Sequence, residues 1–213
     1  MDFKHPFRVI FYAPSYSGKT TQITKLLKDK DFSKQFKKNI FIFTPTSFSD
    51  KSYKDLVKEE NIFEEYDEEI IEEIMEESKK IIKENKGKKK HPILFVLDDA
   101  ITDIKRNGIL NKIFTKGRHY DISIIVSSQQ AKLCSPCMRL NCSHMVMFPQ
   151  KLNDMELQTI AELLPIEKDL FYDMVKDIRN SEPYSFLKVD LSSEDLGRMF
   201  SKNGEKFYKI KDE

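Results

Sequence analysis

The chain lacks what membrane-spanning and secreted proteins carry. No apolar run approaches the ~20 residues that cross a bilayer as a helix, so no membrane partner is expected. The N-terminal stretch MDFKHPFRVIFYAPS has no apolar segment followed by a small-residue cleavage site, and the protein is expected not to be secreted. Cysteine is scarce: there are 3, an odd count that argues against a disulfide scaffold and for a reducing compartment. Arginine is scarce too, confined to Arg8, Arg106, Arg118, Arg139, Arg179 and Arg198. The 213 residues, 39% hydrophobic and 33% charged, suit one ordinary α/β domain rather than a disordered chain.

Basic residues number 36 and acidic ones 35, a net +1, but they are unevenly placed. Glu59 to Glu77 is acidic with no base, while Lys79 to Lys90 holds seven lysines against Glu84 alone. A solvated helix followed by a basic loop accounts for this pattern. Lys86, Lys88, Lys89 and Lys90 would alternatively form part of a rim that binds a polyanion.

Periodicity predicts alternating strands and helices. Short apolar runs at Phe7–Tyr12, Asn39–Thr44, Pro92–Leu97, Asp121–Ser127 and His144–Phe148 read as strands. The unbroken apolar character of the third fits a strand covered on both faces, as in a parallel α/β sheet. Helices are expected from Gly18 to about Asp29, from Ile62 to about Ile82, over 108–117, over 152–164 and over 167–179. In the tail, 184–189 and 206–210 read as strands, and Asn203-Gly204 is a turn signal for a short hairpin. The expected fold class is α/β: one mostly parallel sheet with helices on both faces. Residues 1–150 form its core, and 151–213 pack on it as a short C-terminal extension of the same domain.

The strongest chemical signal is Ala13-Pro-Ser-Tyr-Ser-Gly-Lys-Thr20, a phosphate-loop pattern set directly after a strand and opening a helix. Loop amides and the helix N-terminus would face phosphate oxygens, and Gly18 permits close backbone approach. Ala13, Pro14, Ser15, Tyr16, Ser17, Gly18, Lys19, Thr20 and Thr21 form the expected cradle for ATP. Lys19 would hold the β- and γ-phosphates and Thr20 would ligate Mg²⁺. The second signal is Leu94-Phe-Val-Leu-Asp98-Asp99, an apolar strand running into two carboxylates about 80 residues later. Carboxylates at such a strand end lie where open α/β sheets bind ligands. Asp98 would complete the Mg²⁺ shell, and Asp99 would orient or deprotonate the attacking water. The third is Gln129, a polar residue at the tip of the fourth strand, placed to sense the γ-phosphate by hydrogen bonding; an ordinary polar strand end accounts for it equally well.

These motifs occur in a fixed order: Ala-x4-Gly-Lys-Thr, Leu-Asp-Asp, then Gly117-Arg-His-Tyr-x-Ile-Ser123 with Gln129 six residues on, then Met138-Arg-Leu-Asn141 before an apolar strand. In this combination residues 7–150 resemble the genome-packaging ATPases of large eukaryotic DNA viruses and virophages, within the FtsK–HerA superfamily. The resemblance implies an additional-strand P-loop ATPase, with an extra strand between the phosphate-loop strand and the carboxylate strand. It implies a homo-oligomeric ring, a pentamer or hexamer, that moves double-stranded DNA into a capsid. By that resemblance Lys19 and Thr20 are Walker A, Asp98 and Asp99 Walker B, and Gln129 the sensor. Arg118 and Arg139 are the two candidates for an arginine finger acting on a neighbour's nucleotide. A capsid or portal protein is the implied partner, and the host-cell cytoplasm, the viral factory or the virion the implied location.

The sequence departs from the pattern in three ways. Ala13 stands for the usual glycine, and Asp99 stands where many relatives carry Glu. No large DNA-binding domain is expected beside the core, so loops of this domain would grip DNA, through phosphates and without sequence preference. Two other readings remain open at this stage: a nucleoside or nucleotide kinase, for which an arginine-rich lid is missing, and an ATP-dependent scaffold or switch. Cys134-x2-Cys137-x4-Cys142-x-His144 is compact enough to raise zinc ligation, although small semi-buried side chains explain it more simply.

Overall fold

The computed structural model describes residues 1–45, 51–85, 90–100 and 108–210. Strand β1 (Arg8–Tyr12) leads through a loop into α1 (Lys19–Lys28), followed by α2 (Lys30–Ser33) and β2 (Ile40–Phe43). Two 3₁₀ turns, Lys51–Tyr53 and Glu59–Asn61, precede β3 (Ile62–Phe63), α3 (Glu68–Glu84) and β4 (Ile93–Leu97). Helix α4 (Ile109–Lys116) and a 3₁₀ turn at Gly117–Tyr120 lead into β5 (Ile122–Ser128). A further 3₁₀ turn at Ala131–Leu133, α5 (Pro136–Asn141), β6 (His144–Met147), α6 (Asp154–Ala161) and α7 (Lys168–Arg179) follow. The tail holds β7 (Leu187–Asp190), α8 (Leu196–Met199), β8 (Phe200–Lys202) and β9 (Lys206–Phe207).

The nine strands among the described residues join one sheet in the order β3-β2-β4-β5-β1-β6-β7-β8-β9. The pairings from β3 to β6 are parallel, and those from β6 to β9 are antiparallel. Strand β5 lies between β1 and β4, which is the additional-strand arrangement. Because β1, β2, β4, β5 and β6 run the same way, their C-terminal ends share one edge of the sheet. That edge carries the loop after Tyr12, the carboxylates after Leu97 and Gln129 after Ser128.

Side chains alternate across the sheet with the two-residue period of a strand. Ile10, Tyr12, Phe95, Leu97, Ile124 and Val126 face a layer built from α3, α4, α6 and α7. Val9, Phe11, Leu94, Val96 and Ile125 face α1, with Phe32 and Phe36 beyond it. Burial on both faces is why the central strands read as continuous apolar runs.

The structure corrects several expectations. The long helix starts at Glu68, not Ile62. Asp67 caps it by accepting from the backbone N–H groups of Glu69 (2.8 Å) and Ile70 (3.4 Å). Ile62 and Phe63 instead form edge strand β3, with Phe63 stacked on Phe43 at 4.8 Å between ring centroids. Tyr184 is not in a strand: its φ of +65° breaks the extended run, and β7 begins at Leu187. Helix α5 and the short β8 have no counterpart among the expected elements. Asn203 and Gly204, at φ +55° and +74°, do turn the chain between β8 and β9. Of the basic run, Lys86, Lys88 and Lys89 lie outside the described residues, and Lys90 is exposed.

Phe95 is fully buried at the centre of this sheet, near Phe41 (5.8 Å) and Phe43 (6.4 Å). Phe95→Ala is expected to lower unfolding stability by about 3–5 kcal/mol, read as a lower denaturation midpoint in urea.

Candidate functional site

The loop after β1 is fixed at its root by the sheet: the Ala13 N–H donates to the Ser128 carbonyl at 3.1 Å. It turns on Tyr16 and Gly18, whose φ values are +58° and +96°. Gly18 opens α1 in the left-handed region, where a side chain would be strained, and an added Cβ would come within 3.2 Å of Tyr184 Cδ1. The Ser17 hydroxyl donates to the Pro14 carbonyl at 2.6 Å, closing the loop on itself. Thr21 lies in the first turn of α1.

Lys19 is buried beneath the loop. Its Nζ donates to the carbonyls of Ala13 (2.8 Å) and Pro14 (3.1 Å) and lies 3.4 Å from Asp99 Oδ1. An ammonium held by two neutral carbonyls and a half-exposed carboxylate is a positive charge that an incoming phosphate would compete for.

Asp98 is the most enclosed carboxylate of the site, 2% exposed. Its Oδ2 accepts from Thr20 Oγ1 and from the Tyr53 hydroxyl, each at 2.7 Å. Its Oδ1 accepts from Ser127 Oγ at 2.6 Å. The Ser127 oxygen also accepts the Asp99 N–H at 2.8 Å and lies 3.2 Å from Asp99 Oδ1. Asp99 adopts φ +52°, an uncommon conformation for a side-chain-bearing residue, with its Oδ1 near Lys19. The hydroxyl of Thr20 beside the carboxylate of Asp98 offers the hard oxygen ligands that Mg²⁺ takes, and the Lys19 ammonium beneath the loop offers the charge that phosphate takes. The residues present therefore fit a magnesium nucleotide.

Gln129 follows β5 directly and is exposed at the loop-bearing edge. The chain just after it is tied down: Ser128 Oγ donates to the Gln130 carbonyl at 2.7 Å, and the Ala131 N–H donates to Glu156 Oε2 at 2.6 Å. The structure thus brings the loop residues, Asp98, Asp99 and Gln129 to one edge. It does not bring the two arginines there. Arg118 is exposed on the turn before β5, at the opposite edge of the sheet. It lines a cleft of about 530 Å³ with Lys4, Arg8, His144 and Lys188. The Arg8 pKa is lowered, first by burial and then by the charge of Arg118. No carboxylate pairs with Arg8 or Arg118 among the described residues. Arg139 is half-buried on α5, with its Nε enclosed and unpartnered among the described residues.

The cysteine group is spent on packing and local hydrogen bonds. Burial pushes the thiols of Cys134 and Cys142 up to about 12, and Cys142 Sγ donates to the Arg139 carbonyl at 3.1 Å. His144 is engaged by Ser143 Oγ at 2.9 Å and by Asp190 at 3.2 Å. Among the described residues no group of three or more His, Cys, Asp or Glu side chains is arranged to hold a metal ion. Sequence reasoning missed Tyr53 and Ser127. Ser127 carried no distinguishing signal, being one of three serines in β5. Tyr53 carried none, since its contact spans 45 positions of sequence.

Residues 2–190 match the family model of the poxvirus A32 protein. A relative, the uncharacterized protein 075L of Invertebrate iridescent virus 6, is 26% identical over 208 residues, which cover 91% of this chain and 74% of the relative. Among solved structures, the genome packaging NTPase B204 of Sulfolobus turreted icosahedral virus 2, in complex with ATP-gammaS, aligns with a TM-score of 0.64 at 18% identity. The alignment covers 94% of this chain and 97% of B204. EssC (ATPases 2 and 3) from Geobacillus thermodenitrificans aligns with a TM-score of 0.53 at 15% identity, over 76% of this chain and 35% of that one. At these identities the structural likeness shows a shared P-loop ATPase fold. The match across residues 2–190 shows more: the chain belongs to the poxvirus A32 protein family.

Proposed function

We propose that this chain is an ATP-hydrolysing motor that moves double-stranded DNA and packages a viral genome into a capsid. The observation that carries this reading is the strand order: β5 separates β1 from β4, while Thr20 and Asp98 still meet at 2.7 Å across that strand. Membership of the poxvirus A32 family and the fold shared with a genome packaging NTPase support it.

The chain's residues divide the work. The amides of residues 14–20 and the N-terminus of α1 bind the phosphates. Lys19 exchanges its loop carbonyls for β- and γ-phosphate oxygens. Thr20 and Asp98 hold Mg²⁺, which neutralises charge on the phosphates and orients them when bound. Asp99, on its strained backbone, accepts the proton of the attacking water. Gln129 hydrogen-bonds the γ-phosphate from the tip of β5. Arg118 is the finger: it is exposed and faces away from this chain's own loop, so it serves a neighbour's nucleotide in a pentameric or hexameric ring. Arg139, half-buried under the sheet, holds packing instead. Contacts to DNA are made to phosphates and weaken with salt. A capsid or portal protein docks the ring, in the host-cell cytoplasm, the viral factory or the virion. No helix among the described residues is long and apolar enough to cross a membrane.

Three tests follow from this division. Purified protein is expected to turn over ATP faster as double-stranded DNA is lengthened, and Lys19→Ala to abolish ATP binding. Arg118→Ala is expected to keep ATP binding and oligomer size while lowering turnover about 10³-fold, and Arg139→Ala to leave ATP binding and turnover per folded protein unchanged. Turnover indifferent to DNA in the assembled ring would overturn the motor. Ser127→Ala removes the only donor recorded for Asp98 Oδ1 among the described residues. It is expected to cost about 1–3 kcal/mol of stability and to lower turnover more than ATP affinity, measured by urea denaturation and steady-state kinetics.

A further inference from the structure

The strand order gives an extended nucleoside triphosphate a direction. Asp98, Asp99 and Gln129 stand on the β4 and β5 side of the phosphate loop, so the γ-phosphate end faces that side. Strand β6 flanks β1 on the other side, and the chain leaving it runs through Phe148 to Gln150. The nucleoside end therefore points toward that segment and the turn at 181–184. A cleft of about 320 Å³ opens there, lined by Ser17 of the loop with Phe148, Gln150, Arg179, Pro183 and Tyr184.

Tyr184 is 58% exposed yet firmly held. Its N–H donates to Gln150 Oε1 at 3.1 Å. Gln150 Nε2 faces three carbonyls of the same turn: Ile178 (3.2 Å), Ser181 (3.1 Å) and Glu182 (3.0 Å). One side-chain amide is thus spent on fixing a turn whose tip, Tyr184, sits at φ +65°. Such backbone strain in a side-chain-bearing residue persists only where surrounding contacts impose it. The ring lies against Gly18, where only the absence of a Cβ leaves it room. A rigid, solvent-facing aromatic at the nucleoside end of a phosphate loop is a stacking platform.

We propose that the Tyr184 ring stacks on the nucleobase of the bound triphosphate. The inference rests on the reading of residues 13–20 as a triphosphate site. Tyr184 itself aside, of the cleft's polar side chains only the exposed Lys151 has no side-chain partner among the described residues, and its ammonium can donate to N7, which adenine and guanine both carry. Gln150 is used as described, Ser17 Oγ donates to Pro14, and Ser181 Oγ donates to Asp177. Arg179 is bonded to the carbonyls of Pro149 and Leu152. Recognition is therefore by the face of the base, which every purine offers, and ATP and GTP bind with similar affinity.

Calorimetry with ATP, GTP and inorganic tripolyphosphate, each with Mg²⁺, tests this. Tyr184→Ala is expected to weaken ATP and GTP about tenfold and to leave tripolyphosphate unchanged. The chain has no tryptophan, so Tyr184→Trp supplies a sole indole; its fluorescence is expected to change with ATP and not with tripolyphosphate. Equal weakening of ATP and tripolyphosphate by Tyr184→Ala, unchanged ATP affinity, or an indole response to both ligands would overturn the stacking role while leaving the loop assignment intact. Wild-type protein that binds neither ligand, or Lys19→Ala that binds both as the wild type does, would remove the phosphate-loop reading and the stacking role with it.

Discussion

A carboxylate taken out of water must be met by donors or it destabilises the fold that encloses it. Asp98 is met by three hydroxyls, one from each of three separate parts of the chain: Thr20 on α1, Tyr53 in the segment after β2, and Ser127 on β5. The requirement therefore locks together the elements that surround the phosphate loop. Strand β4 cannot shift along β5 without stripping Ser127 from Asp98, and α1 cannot tilt without moving Thr20 from it. Neutral hydroxyls suit this role better than a lysine or arginine would. They satisfy the carboxylate while leaving its negative charge available to a divalent cation. Lys19 pairs with Asp99 instead.

The two-sided sheet makes that rigidity possible. The central strands are buried on both faces, so a displacement at the strand ends is opposed by two packed layers. The antiparallel strands β7 to β9 extend the same sheet beyond β6. They also anchor the chain that leaves Tyr184: the Phe186 N–H donates to Asn203 Oδ1 at 2.9 Å, tying the start of β7 to the β8–β9 hairpin. The tail in this way supports the Tyr184 turn beside the phosphate loop.

Much of this was legible in the sequence, and the reasons differ from element to element. The central strands announced themselves because burial on both faces demands unbroken apolar runs. That Lys19, Thr20, Asp98 and Asp99 would lie together was legible because the loop pattern and the carboxylate pair each follow directly on a strand end. Strand β3 was hidden because two residues are too few for a period to appear, and because Phe63 suits a helix face as well as a stack on Phe43. Tyr53, Ser127 and Gln150 were hidden for another reason. Each acts through a contact distant in sequence, and nothing in the local pattern of a tyrosine, serine or glutamine signals such a partner. Arg118 and Arg139 looked equivalent as motif residues, and only their burial separates them.

Strand β5 joins the two edges of the molecule. It carries Ser127 and the neighbouring Gln129 at the phosphate end, and the Arg118 turn precedes its other end. Seven consecutive buried residues span about 23 Å. The N-terminal segment pins the far end: His5 bonds Asp121 Oδ1 at 2.9 Å and Ser123 Oγ at 2.6 Å. A strand buried throughout and fixed at both ends behaves as a strut, and side chains at its ends cannot move independently along its axis. In a ring where Arg118 serves the neighbouring nucleotide, the position of one subunit's finger is then tied to the state of the same subunit's phosphate site. Communication between successive sites needs no large internal rearrangement under that geometry; a small tilt of each subunit as a rigid body is enough.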